Sequence, residues 1–554
     1  MEVDKLPMRR EHAPAGPILL ALLPLAACLC GGYSIAQDCT GPAALQSRIT
    51  AHPDSQSYSE LGAWFGERKN FQCAVETLQA GLHLEPNSMR LNYLLGLTLF
   101  SSGQVEASLR PLEHSTELDP KALEPHLILG TALAQLQRQQ EARIQWQAAL
   151  RIDLSSTVAL DGLSKSMIAA GEYGAAISLL RTAKRNEDLT LDLAFAYDRG
   201  GMLEKSSETL KAALHASPSS VRLTDALARV YVQQHRSDVA AELLKGSLAA
   251  HPNDVEGQRI YLPLLVLRGE FSAAQPIAVK LLALDPHNFE VLFLNGVIEH
   301  QSGRYDTARE HLQQAVAMAP EDSYSHYYLG LTLIGLEDSK GARAELEKAV
   351  ALDPANAEAH FQLANILRSS GDKDSAQEQS KIAQQLFVMR SQHFAAQPKA
   401  TEAAKKLATG DIQGAIALYR EAVEAAPQDA SISYKLALAF DKASDTEAER
   451  TTLEQTLHID PTMAVAQNQL GYVLSRGGDV PDAEQHFHLA VQAAPAYTAA
   501  WVNYAAALAV ESRLEEAEKA LSTALELDPG NAQALGLKKD LDAAHATKPA
   551  GQSK

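Results

Sequence analysis

Apolar and small residues recur along the chain on a 34-residue beat, which the prolines mark most plainly. Pro86 and Pro120 are 34 apart, Pro218, Pro252, Pro286, Pro320 and Pro354 keep that step, and Pro427, Pro461, Pro495 and Pro529 repeat it. With the proline written as position 32, position 7 is apolar in most units, as at Leu61, Leu95, Leu129, Leu363 and Leu470. Position 8 is small (Gly62, Gly96, Gly130, Gly296, Gly330, Gly471), and position 20 is alanine in most units, among them Ala74, Ala308 and Ala517. Positions 4, 7, 8 and 11 share one helical face, as do 20, 24 and 27. Each unit therefore predicts two helices, whose axes can approach closely at the small residues. The proline cannot continue the second helix and sets the turn into the next unit. One such pair cannot bury its apolar face alone, so neighbours must stack into an array.

Two intervals break the beat. From Leu154, which stands where a proline would fall, to Pro218 is 64 residues, four short of two units, and the missing residues fall near Lys184-Arg185-Asn186. From Pro354 to Pro427 is 73 residues, five over, with the excess around Leu386 to Pro398. This predicts a longer second helix there and a junction between two sub-arrays. The chain thus divides into a signal segment 1–36, an N-terminal segment 37–54, a sub-array 55–395 of ten repeats, a sub-array 396–530 of four, a capping helix 531–546 and a disordered tail 547–554.

The marker positions resemble the tetratricopeptide repeat. The resemblance covers about fourteen units from Ser55 to Gly530. It implies an all-α, right-handed α-α superhelix of helix hairpins with a C-terminal capping helix. In that family the first helices line a concave groove, and positions 2, 5, 9 and 12 point into it. Carried over residue by residue, those positions imply a strip that binds a peptide or partner protein. It comprises Tyr93, Leu97, Phe195, Phe293, Val297, Tyr324, Tyr327, Leu331, Phe361, Asn365, Tyr434 and Tyr472. Aromatic side chains give large contact area at low entropy cost, and Asn365 could hydrogen-bond an extended backbone. Members that grip a C-terminal carboxylate use a Lys/Asn/Arg clamp; here the clamp positions hold Ser59, Ala63, Tyr93 and Leu97, so that activity is not carried over.

Charge narrows the partners. Asp plus Glu outnumber Lys plus Arg by 68 to 49, which disfavours phosphate backbones, so no nucleic-acid partner is expected. Lys5, Arg9 and Arg10 precede the apolar run Ile18–Cys30, the pattern of an export signal. Ser34-Ile35-Ala36 offers a cleavage site, and Leu25-Ala26-Ala27-Cys28 offers a lipobox that would lipidate Cys28. Membrane attachment is expected only through that lipid or an uncleaved anchor, and localisation to a bacterial periplasm or cell envelope follows. Cleavage after Ala36 leaves Cys39 and Cys73, which form a disulfide in an oxidising compartment or remain buried thiols. No nucleotide loop, nucleophile elbow or HExxH occurs, and His486 and His488 lie about 200° apart on a helix. No cofactor, no metal and no catalytic residue is therefore expected.

Overall fold

A computed structural model describes residues 39–528 and 530–547. The signal segment 1–36, Cys28 and all but the first residue of the expected tail lie outside them. Twenty-nine α-helices run through the described residues, with no strand among them. They alternate in length with the sequence beat. A first helix of 13 residues, such as Met89–Ser101, is followed by a second of 14, such as Val105–Leu118.

Local chemistry fixes both ends of these helices. Asp54, Ser88, Asn186, Ser220, Asp254, Asn288, Asp322 and Asn356 cap first helices, each side chain accepting a backbone N–H in the first turn. Between first and second helix, one residue per hairpin turns with positive φ, fourteen among the described residues. Eight are glycines, as at Gly103 and Gly303; Lys69, Gln137, His235, Glu337, Ser444 and Ser512 adopt the same conformation with a side chain.

Inside a hairpin, the small residue at position 8 admits a large one at position 24. A methyl on Gly96 would lie 2.5 Å from Leu112, one on Gly296 2.6 Å from Leu312, and one on Gly471 2.8 Å from Phe487. Between hairpins runs a bond that the sequence reading did not anticipate. The carbonyl of the position-32 proline accepts a hydrogen bond from the side chain six residues on. Asn92 donates to Pro86 at 3.0 Å, Gln258 to Pro252 at 2.6 Å, Gln467 to Pro461 at 2.8 Å and Trp501 to Pro495 at 2.8 Å. His126, His326 and His360 occupy the same place against Pro120, Pro320 and Pro354. The proline that ends one hairpin so becomes the acceptor that anchors the next.

The helices form two compact units, one ending at Glu337 and the other beginning at Asp338. The first opens with Ala43–Ala51, and Cys39 is joined by a disulfide to Cys73 in the helix Phe71–Leu84. Its fourth hairpin has a nine-residue second helix, Tyr173–Arg181, which accounts for the short interval near Lys184. The second unit contains the long interval. There Lys373–Ala408 is one continuous helix of 36 residues. Val388 stands where the beat places a proline, and Pro398, ten residues on, lies inside the helix without ending it. Ala376 and Ala383 are buried in its first half and Ala396, Ala400 and Ala403 in its second, so it ends one hairpin and begins the next. The expected junction at 395/396 falls inside this unbroken helix, whereas the division between units falls at 337/338. Ala532–Thr547 follows the last hairpin, with Ala534 and Leu541 buried in its core cluster.

Candidate interaction surfaces

The first helices do not present one continuous aromatic strip. In the first unit Tyr93 and Leu97 are half-buried, Tyr93 packing on the core of the neighbouring hairpins. Phe195 is 49% exposed. Phe293 and Val297, expected in the groove, are instead core residues at 0% and 1% exposure. Their helix, Phe289–Gln301, is buried on every face from Val291 to Glu299. Phe293 meets Tyr328 edge-on at 5.7 Å, which consumes the ring that was expected to face a ligand. His300 follows on the same helix, and burial pushes its imidazole below the usual range. Tyr324, Tyr327 and Leu331 are half-buried, Tyr327 standing edge-on to Tyr328 at 5.2 Å.

The hairpins before that helix carry charge where aromatics were sought. Lys165 pairs with Asp161 at 2.6 Å, Arg222 with Asp188 at 2.7 Å, and Arg229 with Glu256. These residues occupy positions 2, 5 and 9, so the signal was present in the sequence. Beside them lies a buried carboxyl pair. A methyl on Gly257 would lie 2.2 Å from Asp254 Oδ2 and 3.0 Å from Asp225 Oδ1, which places the two oxygens side by side. Neither oxygen meets a donor, while Asp254 Oδ1 caps the next helix through the Gly257 N–H. Burial and the neighbouring Asp254 push the Asp225 carboxyl up to about 7. Burial likewise pushes Asp192 up to about 6, although Ser164 donates to it at 2.9 Å.

In the second unit more of the expected residues reach solvent. Phe361 is 47% exposed and meets Phe387 of the long helix edge-on at 6.5 Å. Asn365 accepts from Arg368 at 2.9 Å, which leaves its amide N–H groups for another acceptor. Arg390 lies over the Phe387 ring at 5.1 Å and pairs with Glu358 at 2.8 Å. A cleft of about 270 Å³ opens between Met389–His393 and Ala426–Ala430, crossed by a His393–Asp429 pair.

The last three hairpins hold a cluster of amides and phenols. Asn503 donates to Asn468 at 2.9 Å, and Asn468 donates to the Tyr497 hydroxyl at 3.4 Å. Burial pushes the Tyr434 phenol up to about 12, with Tyr497 and Glu449 adding to it. Tyr472, one turn beyond Asn468, is 44% exposed beneath the Arg476 guanidinium. The sequence reading found Tyr434 and Tyr472 but not the amides between them. Asn468 stands at groove position 5, so the same position rule could have found it.

Among the described residues no three His, Cys, Asp or Glu side chains converge as metal ligands. No described helix is long and apolar enough to cross a membrane.

Capped, glycine-turned hairpins stacked by shared faces define a helical repeat protein of the kind that presents surfaces to other proteins. Family models described as tetratricopeptide repeat match residues 93–156, 265–330, 324–356, 345–378, 401–464 and 474–541, together more than half of the chain. The chain belongs to the tetratricopeptide repeat family. Among solved structures it is similar to one titled APC/C hetero-tetramer Cut9-Hcn1, at 14% identity, TM-score 0.31, over 89% of this chain and 98% of that one. It is also similar to MamA from Desulfovibrio magneticus RS-1, at 25% identity, TM-score 0.27, over 30% of this chain and 93% of that one. A further MamA structure, the RS-1 ArsTM double mutant, matches at 26% identity, TM-score 0.27, over 31% and 95%. No curated protein matches the chain.

Proposed function

We propose that the chain is a non-catalytic interaction scaffold of the cell envelope that binds an extended peptide or partner segment along its first helices. Membership of the repeat family supports a protein-binding role. The observation that carries the peptide reading is the cluster of Asn468, Asn503, Tyr434, Tyr472 and Tyr497 in the last three hairpins. The half-buried Asn503 amide, held by the buried Asn468, and the exposed Tyr472 ring offer backbone hydrogen bonds and contact area together. The basic and then apolar start of the sequence and the Cys39–Cys73 disulfide support an exported, oxidising location.

Affinity capture from envelope extracts tests this reading, with Asn468→Ala/Tyr472→Ala beside the unaltered chain. Loss of bound proteins with unchanged helical circular dichroism supports it; an identical bound set overturns it. A second reading, an assembly subunit of a polysaccharide or outer-membrane export machine, rests on apolar side chains exposed on second helices: Ile144 at 57%, Val279 at 53% and Leu284 at 58%. On that reading, Ile144→Asp/Val279→Asp, and not the amide variant, releases the co-purifying complex.

A further inference from the structure

The two ends of the array are closed in different ways. The C-terminal helix Ala532–Thr547 has 16 residues, with Ala534 and Leu541 buried in the core of the last hairpin. The N-terminal helix Ala43–Ala51 has nine, none of them buried, and Pro42 before it supplies no capping side chain. A helix this short is marginal by itself in water. Yet its segment lies on apolar side chains of the first hairpin. Leu45 and Ile49 pack on the cluster of Leu61, Phe65, Cys73 and Ala74. A methyl on Gly41 would lie 2.4 Å from Leu61 and 3.6 Å from Phe65, so the chain runs directly over both. Beneath it Leu61 and Phe65 are buried. Arg48 pairs with Glu60, but both side chains reach solvent, so this pair holds weakly. The firm hold is covalent, from Cys39 to Cys73. The segment is thus tied at one end by the chain at 52–54 and at the other by the disulfide.

We propose that residues 39–51 are a redox-governed cover, closed over Leu61 and Phe65 while the two cysteines are joined and lifted when they are reduced. Cys73 is fully buried and Cys39 half-buried, so an attacking thiolate meets Cys39 Sγ. A dithiol reductant supplies the electrons. Its first thiolate bonds to Cys39 Sγ and breaks the bond to Cys73, which leaves as a thiolate and takes up a proton. Its second thiolate then displaces Cys39, which is protonated in turn. The reductant ends as a disulfide, and its two electrons and two protons end on the cysteines. The released segment keeps only its link at 52–54, its short helix frays, and Leu61 and Phe65 meet water. The helix Ser55–Glu67 then offers an apolar flank of the kind that later hairpins hide against their neighbours. Packing alone holds the C-terminal helix, whereas at this end the covalent bond decides whether the array is shut. The device does not depend on the partner or the location proposed above.

Hydrogen exchange of the full chain, read by mass spectrometry with and without dithiothreitol, tests the cover. On reduction the amides of 43–51 are expected to exchange about tenfold faster or more, and those of 55–67 to follow by a smaller factor. Amides from residue 89 onward should keep their rates. Cys39→Ser leaves the Cys73 thiol in its core and should show the open pattern without reductant, with no further response to dithiothreitol. Equal protection of 43–51 in the oxidised chain, the reduced chain and the variant would mean that packing alone shuts this end. Loss of protection that spreads past Leu84 would make the disulfide a general stabiliser of the array. Either result overturns the proposal, as do free thiols at both cysteines in the chain isolated without reductant.

Discussion

The helices Phe289–Gln301 and Ala464–Arg476 occupy the same place in the repeat, yet one is buried all round and the other opens to solvent. At position 9 the first carries Val297, 1% exposed, and the second Tyr472, 44% exposed. At position 5 the first carries Phe293 against Tyr328, the second Asn468 within hydrogen-bonding reach of Asn503 and Tyr497. Repeat position fixes which way a side chain points. Whether that direction ends in solvent depends on the volume of the side chains on the next hairpin. Phe293, met by a ring, becomes core; Asn468, met by Asn503 and Tyr497, is itself buried at 8% exposure, and solvent is reached one turn on at Tyr472.

The largest expected effect widens this contrast. Phe293→Ala should destabilise the chain by about 3–5 kcal/mol, as for other buried phenylalanines, whereas Tyr472→Ala should cost about 0.5 kcal/mol or less. Urea unfolding of both variants checks this, and equal losses would erase the distinction. The next effect should not distinguish the two regions at all. Gly296→Ala and Gly471→Ala each push a methyl into a position-24 side chain, and each should cost about 1–3 kcal/mol through overpacking. A small loss at Gly471 alone would mean that the open region is also loosely packed inside its hairpin.

The third effect concerns the charged hairpins. The Asp225 carboxyl is raised in the folded chain to about 7 from an ordinary 3.8, so folding takes up a proton between these values. The folded chain then binds more protons than the unfolded one, and stability falls as pH rises through that window. Asp192, raised to about 6, contributes in the same direction. Asp225→Asn supplies a permanent donor to Asp254 Oδ2. It should raise stability at pH 8 by about 1 kcal/mol and flatten the fall in melting temperature between pH 5 and pH 8. A variant with the parental slope would remove Asp225 from this account. The smallest effect tests a turn. Gln137→Gly relieves a left-handed backbone at φ 61°, and it should stabilise by about 1 kcal/mol, read as a raised melting temperature.

The repeat itself was legible in the sequence, because helix pairing depends on local size and spacing. Gly96 and Leu112, or Gly471 and Phe487, sit in one hairpin and announce each other. The proline anchor was not legible: Asn92, His126, Gln258 and Trp501 look unrelated until their shared acceptor is seen. Nor was the burial of Phe293, which depends on Tyr328 one hairpin away. The charged first helices around Arg222 and Arg229 were readable, but a reading that sought only aromatic rows passed over them. At Val388 the missing proline announced extra length, while the fusion of two helices into one was not legible, because Pro398 reads as a stop and the helix runs through it.

That fusion bears on how the array can change in size. Elsewhere a whole period begins and ends at a turn, so a duplication or excision joins loop to loop and leaves each neighbour its usual seam. Between Lys373 and Ala408 there is no such joint. Any cut there severs a rigid rod and strips a packing partner from both adjoining hairpins, so these two are expected to be inherited, grafted or lost together.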